Sequence, residues 1–179
     1  MSKKHYILTA VTLGSIAAVA AGVIGLTNLI TKDRIAQNEQ KRIQKGIKEV
    51  FGDKAEIINE FKISDKNYDY LVYGYEVKNE TDNINGYAIR TLGSNIYGKI
   101  SLIVGVYEKS VHEFIFGKLS VVVDEQTYAS TLEDEYIDVI NGDAEKIDDV
   151  NCGATYGAKL VRSMIEMTVS YANTVLGAE

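Results

Sequence analysis

The residues best placed to do chemistry lie together in Asp148-Asp149-Val150-Asn151-Cys152-Gly153-Ala154-Thr155-Tyr156-Gly157. A glycine, a small residue and a hydroxyl stand there just before an apolar repeat of helical spacing. The start of a helix offers unpaired amide N–H groups and a partial positive charge, an arrangement that suits phosphate. Gly153 allows the backbone to come close to an anion. Thr155, at or near the N-cap, has two uses open to it. It can cap the helix, the commoner use of threonine at that position, or its hydroxyl can itself be esterified by a phosphate. Cys152, beside the same helix start, is open to a lowered thiol pKa. It also fits as a small replacement for serine in a tight loop. No histidine or second cysteine lies near it in sequence to support nucleophilic catalysis.

The rest of the chain narrows the chemistry further. A single cysteine excludes an intramolecular disulfide, a multi-cysteine zinc site and an iron–sulfur cluster held by this chain alone. The two histidines, His5 and His112, do not suggest a metal centre, and His112 has no evident partner. The acidic runs Glu133-Asp134-Glu135 and Asp148-Asp149 read as solvated faces. No Gly-x-Gly-x-x-Gly occurs, so no nicotinamide dinucleotide is expected to bind. With 19 basic and 25 acidic residues and a net charge of −6, the chain lacks the basic surface of a nucleic-acid binder. There is no proline in the 179 residues, so tight turns fall to Gly, Asn and Asp.

Two elements must carry this segment. From Tyr6 to Thr31, 26 residues bear no formal charge. As a helix rising about 1.5 Å per residue they would reach about 39 Å, more than a hydrocarbon core of roughly 30 Å. Lys3, Lys4 and the Ala18-Val19-Ala20 triplet resemble parts of a cleaved leader, but apolar sequence continues through Ile30 and no polar region precedes the supposed cut. Residues 1–31 are therefore read as an uncleaved membrane anchor. The lack of a cysteine near its start argues against a lipoprotein. Ala10, Gly14, Ala18 and Gly22 recur every four residues, a stripe that permits close approach of another membrane helix or merely reflects membrane-helix composition. Thr9, Thr12, Ser15, Thr27 and Asn28 would sit poorly against lipid alone. Charge counting across Lys3 and Lys4 on one side and Lys32, Arg34, Lys41, Arg42, Lys45 and Lys48 on the other points the C-terminal part to the cytoplasm, but this rule is weak for long domains.

The second element is an acidic α+β domain with a mainly antiparallel sheet packed by helices. Without residues 1–31 the chain has 17 basic and 25 acidic side chains, a net −8. Residues 32–52 form a juxtamembrane helix, with Ile43, Ile47, Val50 and Phe51 at helical spacing and Gly52 as its stop. Strands are expected at 56–63, 70–77, 86–93 and 99–107, with a turn at 79–86. Residues 113–125 read as two short strands or a hairpin around Gly117. A helix is expected over 128–140, ended by Asn141-Gly142, and a last one from Tyr156 to Leu176. Nearly all of the 12 tyrosines read as core and sheet packing.

Asp149-Val150-Asn151-Cys152-Gly153-Ala154-Thr155 resembles the flavinylation motif Asp-x-x-(Ser/Thr)-Gly-Ala-Thr. That motif belongs to the FMN-binding domain family of the redox-driven ion pumps: the RnfG subunit of the Rnf complex, and NqrC of the Na⁺-translocating NADH:quinone reductase. LTNLITKDRIAQNE at the anchor's end and GYAIRTLGSNIYGKISLIVGV in mid-chain are similar to the same family, and the short length fits RnfG better than NqrC. The resemblance implies that residues 53–179 form an FMN-binding domain. It also implies that Thr155 carries FMN through a phosphoester, attached from FAD by a flavin transferase that reads Asp149, Cys152, Gly153, Ala154 and Tyr156. It implies membrane lipid and the other membrane subunits of an Rnf-type complex as partners, a place on the extracytoplasmic side, and electron relay in an ion-translocating ferredoxin:NAD⁺ oxidoreductase. This sequence departs from the family at Cys152, where Ser or Thr is usual, and at Gly157, often a hydroxyl residue. It departs again at residues 125–130, where Glu125-Gln126-Thr127-Tyr128-Ala129-Ser130 stands for a Glu-Thr-Pro-Gly-Leu-Gly-like loop that helps shape the flavin site. Two other roles remain consistent with the sequence: a stand-alone anchored flavoprotein in extracellular electron transfer, and a flavin-less structural subunit.

Overall fold

The computed structural model describes residues 3–79, 84–111, 113–126, 134–142 and 155–178. The elements run α1 (Lys3–Phe51), β1 (Glu56–Lys62), β2 (Leu71–Asn79), β3 (Ile84–Asn95), β4 (Gly98–Ser110), β5 (Glu113–Asp124), α2 (Asp134–Gly142) and α3 (Thr155–Thr174), then a 3₁₀ turn, Leu176–Ala178. The chain forms two compact units, Met1–Lys41 and Arg42–Glu179. The fold is α+β with one candidate membrane span.

The first unit is the N-terminal length of α1, a helix long and apolar enough to cross a membrane. Its apolar side chains from Tyr6 to Leu26 are exposed, Leu8 and Ile24 at 70%. The hydroxyls expected to sit poorly in lipid are satisfied within the helix. Thr9, Thr12, Ser15 and Thr27 donate to the carbonyls of His5, Leu8, Val11 and Val23 at 2.7–2.9 Å, each one turn back. Around Gly14 and Gly22 of the small-residue stripe there is open space.

The second unit is built on a meander of five antiparallel strands in the order β1-β2-β3-β4-β5. Alternation along the strands sends two apolar faces outward. One takes the last turns of α1: Ile43, Ile47, Val50 and Phe51 pack on Tyr75, Val77, Ala88 and Ile103. The other takes α2 and α3: Ile140, Leu160, Val161, Met164 and Ile165 pack on Ile100, Leu102, Val104 and Leu119. With helices on both sides, β4 is apolar on both faces, and residues 100–106 are all buried. Each fully buried Ile, Leu or Phe contributes roughly 1.5–3 kcal/mol by leaving water.

Glycines set how closely the helices approach. A Cβ on Gly105 would lie 2.3 Å from Val50 Cγ1, and one on Gly93 2.3 Å from Met164 Cε. The end of α1 is capped by side chains from the sheet. Tyr107 Oη donates to the Val50 carbonyl at 2.7 Å and Asn79 Nδ2 to the Phe51 carbonyl at 2.8 Å, satisfying acceptors that the last turn leaves open. Burial pushes the Tyr107 hydroxyl up to about 12. Gly52 then turns the chain with φ 95°, its N–H bonded to the Lys48 carbonyl at 2.8 Å, so the expected stop is where the helix ends.

One expectation is corrected. Residues 113–125 hold one strand, β5, and no hairpin at Gly117. Gly117 lies within the strand because the Tyr107 ring occupies the space beside it: a Cβ there would come within 1.6 Å of Tyr107 Cε2. The expected helix over 128–140 is α2, which ends at Gly142, in the Asn141-Gly142 pair expected to close it. Residues 128–133 of it lie outside the described residues. Asn141 serves the sheet, accepting from the Leu119 N–H at 2.8 Å and donating to the Leu119 carbonyl at 3.0 Å. Asn173 of α3 does the same at Phe114, with both bonds at 2.8 Å. Two side-chain amides thus stand in for a neighbouring strand along the outer edge of β5.

Candidate functional site

Three segments of the second unit converge at one end of the sheet: the β3–β4 hairpin tip, the end of β5 and the start of α3. The hairpin turns at Ile96-Tyr97 between the paired residues Asn95 and Gly98. Asn95 Oδ1 accepts the Tyr97 N–H at 2.9 Å, a local bond that asparagine makes readily in turns. Gly98 has φ +148°, and a Cβ there would lie 2.4 Å from the Glu125 carbonyl oxygen. Only glycine lets the hairpin lie this close to the end of β5. The contact is fixed by the Glu125 N–H donating to the Lys99 carbonyl at 2.8 Å, and by the Gln126 N–H donating to Asp124 Oδ1 at 2.9 Å.

Helix α3 begins beside this tip. Thr155 is its first residue and is exposed, so its hydroxyl is open to an approaching reagent. No acidic residue occupies the first turn, which leaves the partial positive end of the helix uncompensated from within. Behind it, Gly157, Leu160 and Val161 are buried and hold the first turns on the sheet. The Tyr156 ring packs on Tyr97 with centroids 5.5 Å apart and a tilt of 59°. Asn95 Nδ2 is a buried donor that finds no hydrogen-bond partner among the described residues.

Of the expected site residues, Thr155 and Tyr156 are thus placed at the convergence. Asp149, Cys152, Gly153 and Ala154 lie outside the described residues, as do His112 and residues 127–130 of the departing loop. Sequence reasoning named Tyr156 but missed Tyr97 and the contact between the two rings, because it assigned nearly all the tyrosines to core and sheet packing. Among the described residues no group of His, Cys, Asp and Glu is arranged to hold a metal ion. The features present fit a phosphate-linked flavin: an accessible hydroxyl at a helix start, an unsatisfied buried amide donor and exposed aromatic rings next to both.

Residues 1–50 match the RnfG N-terminal region family. This match supports an RnfG-type subunit, a component of an Rnf-type electron-transport complex associated with the other subunits of that complex. It covers α1 almost to its end. No curated protein and no solved structure matches the chain.

Proposed function

We propose that this chain is a membrane-anchored flavoprotein subunit of an Rnf-type complex, carrying FMN covalently on Thr155 and relaying electrons within an ion-translocating ferredoxin:NAD⁺ oxidoreductase. One observation carries the reading: Thr155 stands exposed as the first residue of α3, where the hairpin tip and the end of β5 meet. The family match over residues 1–50 and the apolar α1 support the membrane setting. The resemblance of residues 149–155 to the flavinylation motif supports the chemistry. On this reading the domain lies on the extracytoplasmic side.

The chain's part in maturation is that of a nucleophile. Thr155 Oγ, held by a flavin transferase, attacks the flavin-side phosphorus of FAD. The Oγ–P bond forms, the pyrophosphate P–O bond breaks, AMP leaves, and the hydroxyl proton passes to solvent or to a base of the transferase. The N–H groups and dipole of the helix start would stabilise the resulting phosphodiester anion. A bound flavin supplies reversible one- and two-electron transfer, while the protein supplies position and electrostatics. A covalent link keeps the group in place without a dinucleotide-binding fold.

The test is intact mass of the chain co-expressed with a flavin transferase, as wild type and as Thr155→Val. The expected result is an FMN mass increment in the first and none in the second. An unmodified, colourless wild-type chain from its own cell would overturn the flavin reading in favour of a structural subunit. Purification of a flavin-loaded chain free of membrane partners would favour a stand-alone electron carrier.

A further inference from the structure

Ile96, Tyr97 and Tyr156 are large side chains left in solvent beside Thr155, with exposures of 79%, 39% and 55%. Tyr156 and Tyr97 touch each other at a tilt of 59°, so their contact covers only part of each ring. The first turn of α3 that carries Tyr156 is fixed from behind by the buried Gly157 and Leu160. Tyr156 is therefore presented as an oriented aromatic surface, already ordered before anything binds, which lowers the entropy cost of binding. A flat ring joined to the neighbouring hydroxyl by a phosphate and a ribityl chain cannot travel far from residue 155. The apolar surface within its reach begins with the side chain one residue on.

We infer that Tyr156, braced by Tyr97, is a wall of the flavin site, against which the isoalloxazine attached at Thr155 lies. This inference rests on the Thr155 attachment proposed above. The electron-poor isoalloxazine and the electron-rich phenol suit offset stacking. The same complementarity has a spectroscopic consequence. A phenol in contact with an isoalloxazine quenches its fluorescence by electron transfer, and a phenyl ring of the same shape does so far less.

The experiment uses the full-length chain co-expressed with a flavin transferase, as wild type, Tyr156→Phe and Tyr156→Leu. Intact mass is read first and flavin fluorescence yield second. The expected result is a fluorescence yield per attached FMN, normalised to each chain's FMN mass increment, several-fold higher in both variants than in wild type. The phenylalanine variant keeps the packing on Tyr97, so a loss of fold cannot account for the rise. An FMN increment in wild type and in Tyr156→Phe with an unchanged fluorescence yield per attached FMN would overturn the inference and leave the attachment standing. A wild-type chain without the increment would overturn the attachment, and the inference with it.

Discussion

Replacing Tyr107 by phenylalanine should stabilise the protein at high pH and destabilise it near neutrality. Tyr107 Oη donates to the Val50 carbonyl at 2.7 Å, at the end of α1. Near pH 8 its removal takes away one hydrogen bond and leaves a partly buried acceptor, a loss of about 1 kcal/mol. In a domain of this size that corresponds to a fall in Tm of roughly 3–5 °C. At high pH the sign reverses. Burial raises the hydroxyl from its ordinary 10.0 to about 12 in the folded protein. The stabilising neutral form is fully present below pH 10.0, where both folded and unfolded chains keep the proton, and the advantage is lost as pH rises through about 12. Between those limits each pH unit costs the wild type up to about 1.4 kcal/mol, less a discount for the ring's partial exposure. Phenylalanine has no such loss. The stability curves of wild type and variant should therefore cross at about pH 11–12. Urea unfolding of both full-length chains in the same detergent, at intervals from neutral to alkaline pH, measures this. Contributions from the other tyrosines and the lysines are common to both and cancel in the difference. A stability gap that stays constant with pH, or a Tyr107 tyrosinate difference signal that titrates at the ordinary value, would refute the argument.

Four further outcomes follow from other contacts. Gly117→Ala puts a methyl group within 1.6 Å of the Tyr107 ring and should cost about 1–3 kcal/mol in urea unfolding, an effect that Tyr107→Ala in the same chain should largely relieve. Asn173→Ala removes both bonds to the Phe114 backbone and should lower stability by about 2 kcal/mol, with faster hydrogen exchange at Phe114 than in wild type. Cys152→Ser restores the family's usual residue and should load flavin at least as fast as wild type in a mass-spectrometric time course. Thr155→Ser retains the hydroxyl and should still take the FMN increment.

The fold was largely legible because hydrophobic periodicity is strong in this chain. The apolar run of 99–107 marked the strand β4, and Ile43, Ile47, Val50 and Phe51 marked the apolar face of the helix, the one that packs on the sheet. Gly52 ended α1 as expected, since its φ of 95° is one that only glycine adopts without strain. Gly117 misled because a glycine in a strand looks the same in sequence whether it turns the chain or makes room for a ring on the next strand. Asn141-Gly142 closes α2 as expected, but the bonds of Asn141 to Leu119 were not legible, because they join residues far apart in the chain. The helix start at Thr155 was legible from the residues around it. The Tyr97–Tyr156 contact was not, because it joins a hairpin tip to a helix start far along the chain, and no local pattern encodes it.

The backward bonds of the hydroxyls in α1 bear on biogenesis. A membrane helix whose polar groups need a neighbour cannot settle in a bilayer until that neighbour arrives, because an unsatisfied group in hydrocarbon is costly. Thr9, Thr12, Ser15 and Thr27 each find an acceptor one turn back in their own helix. If α1 spans a bilayer, these four hydroxyls would need no companion chain at the time of insertion.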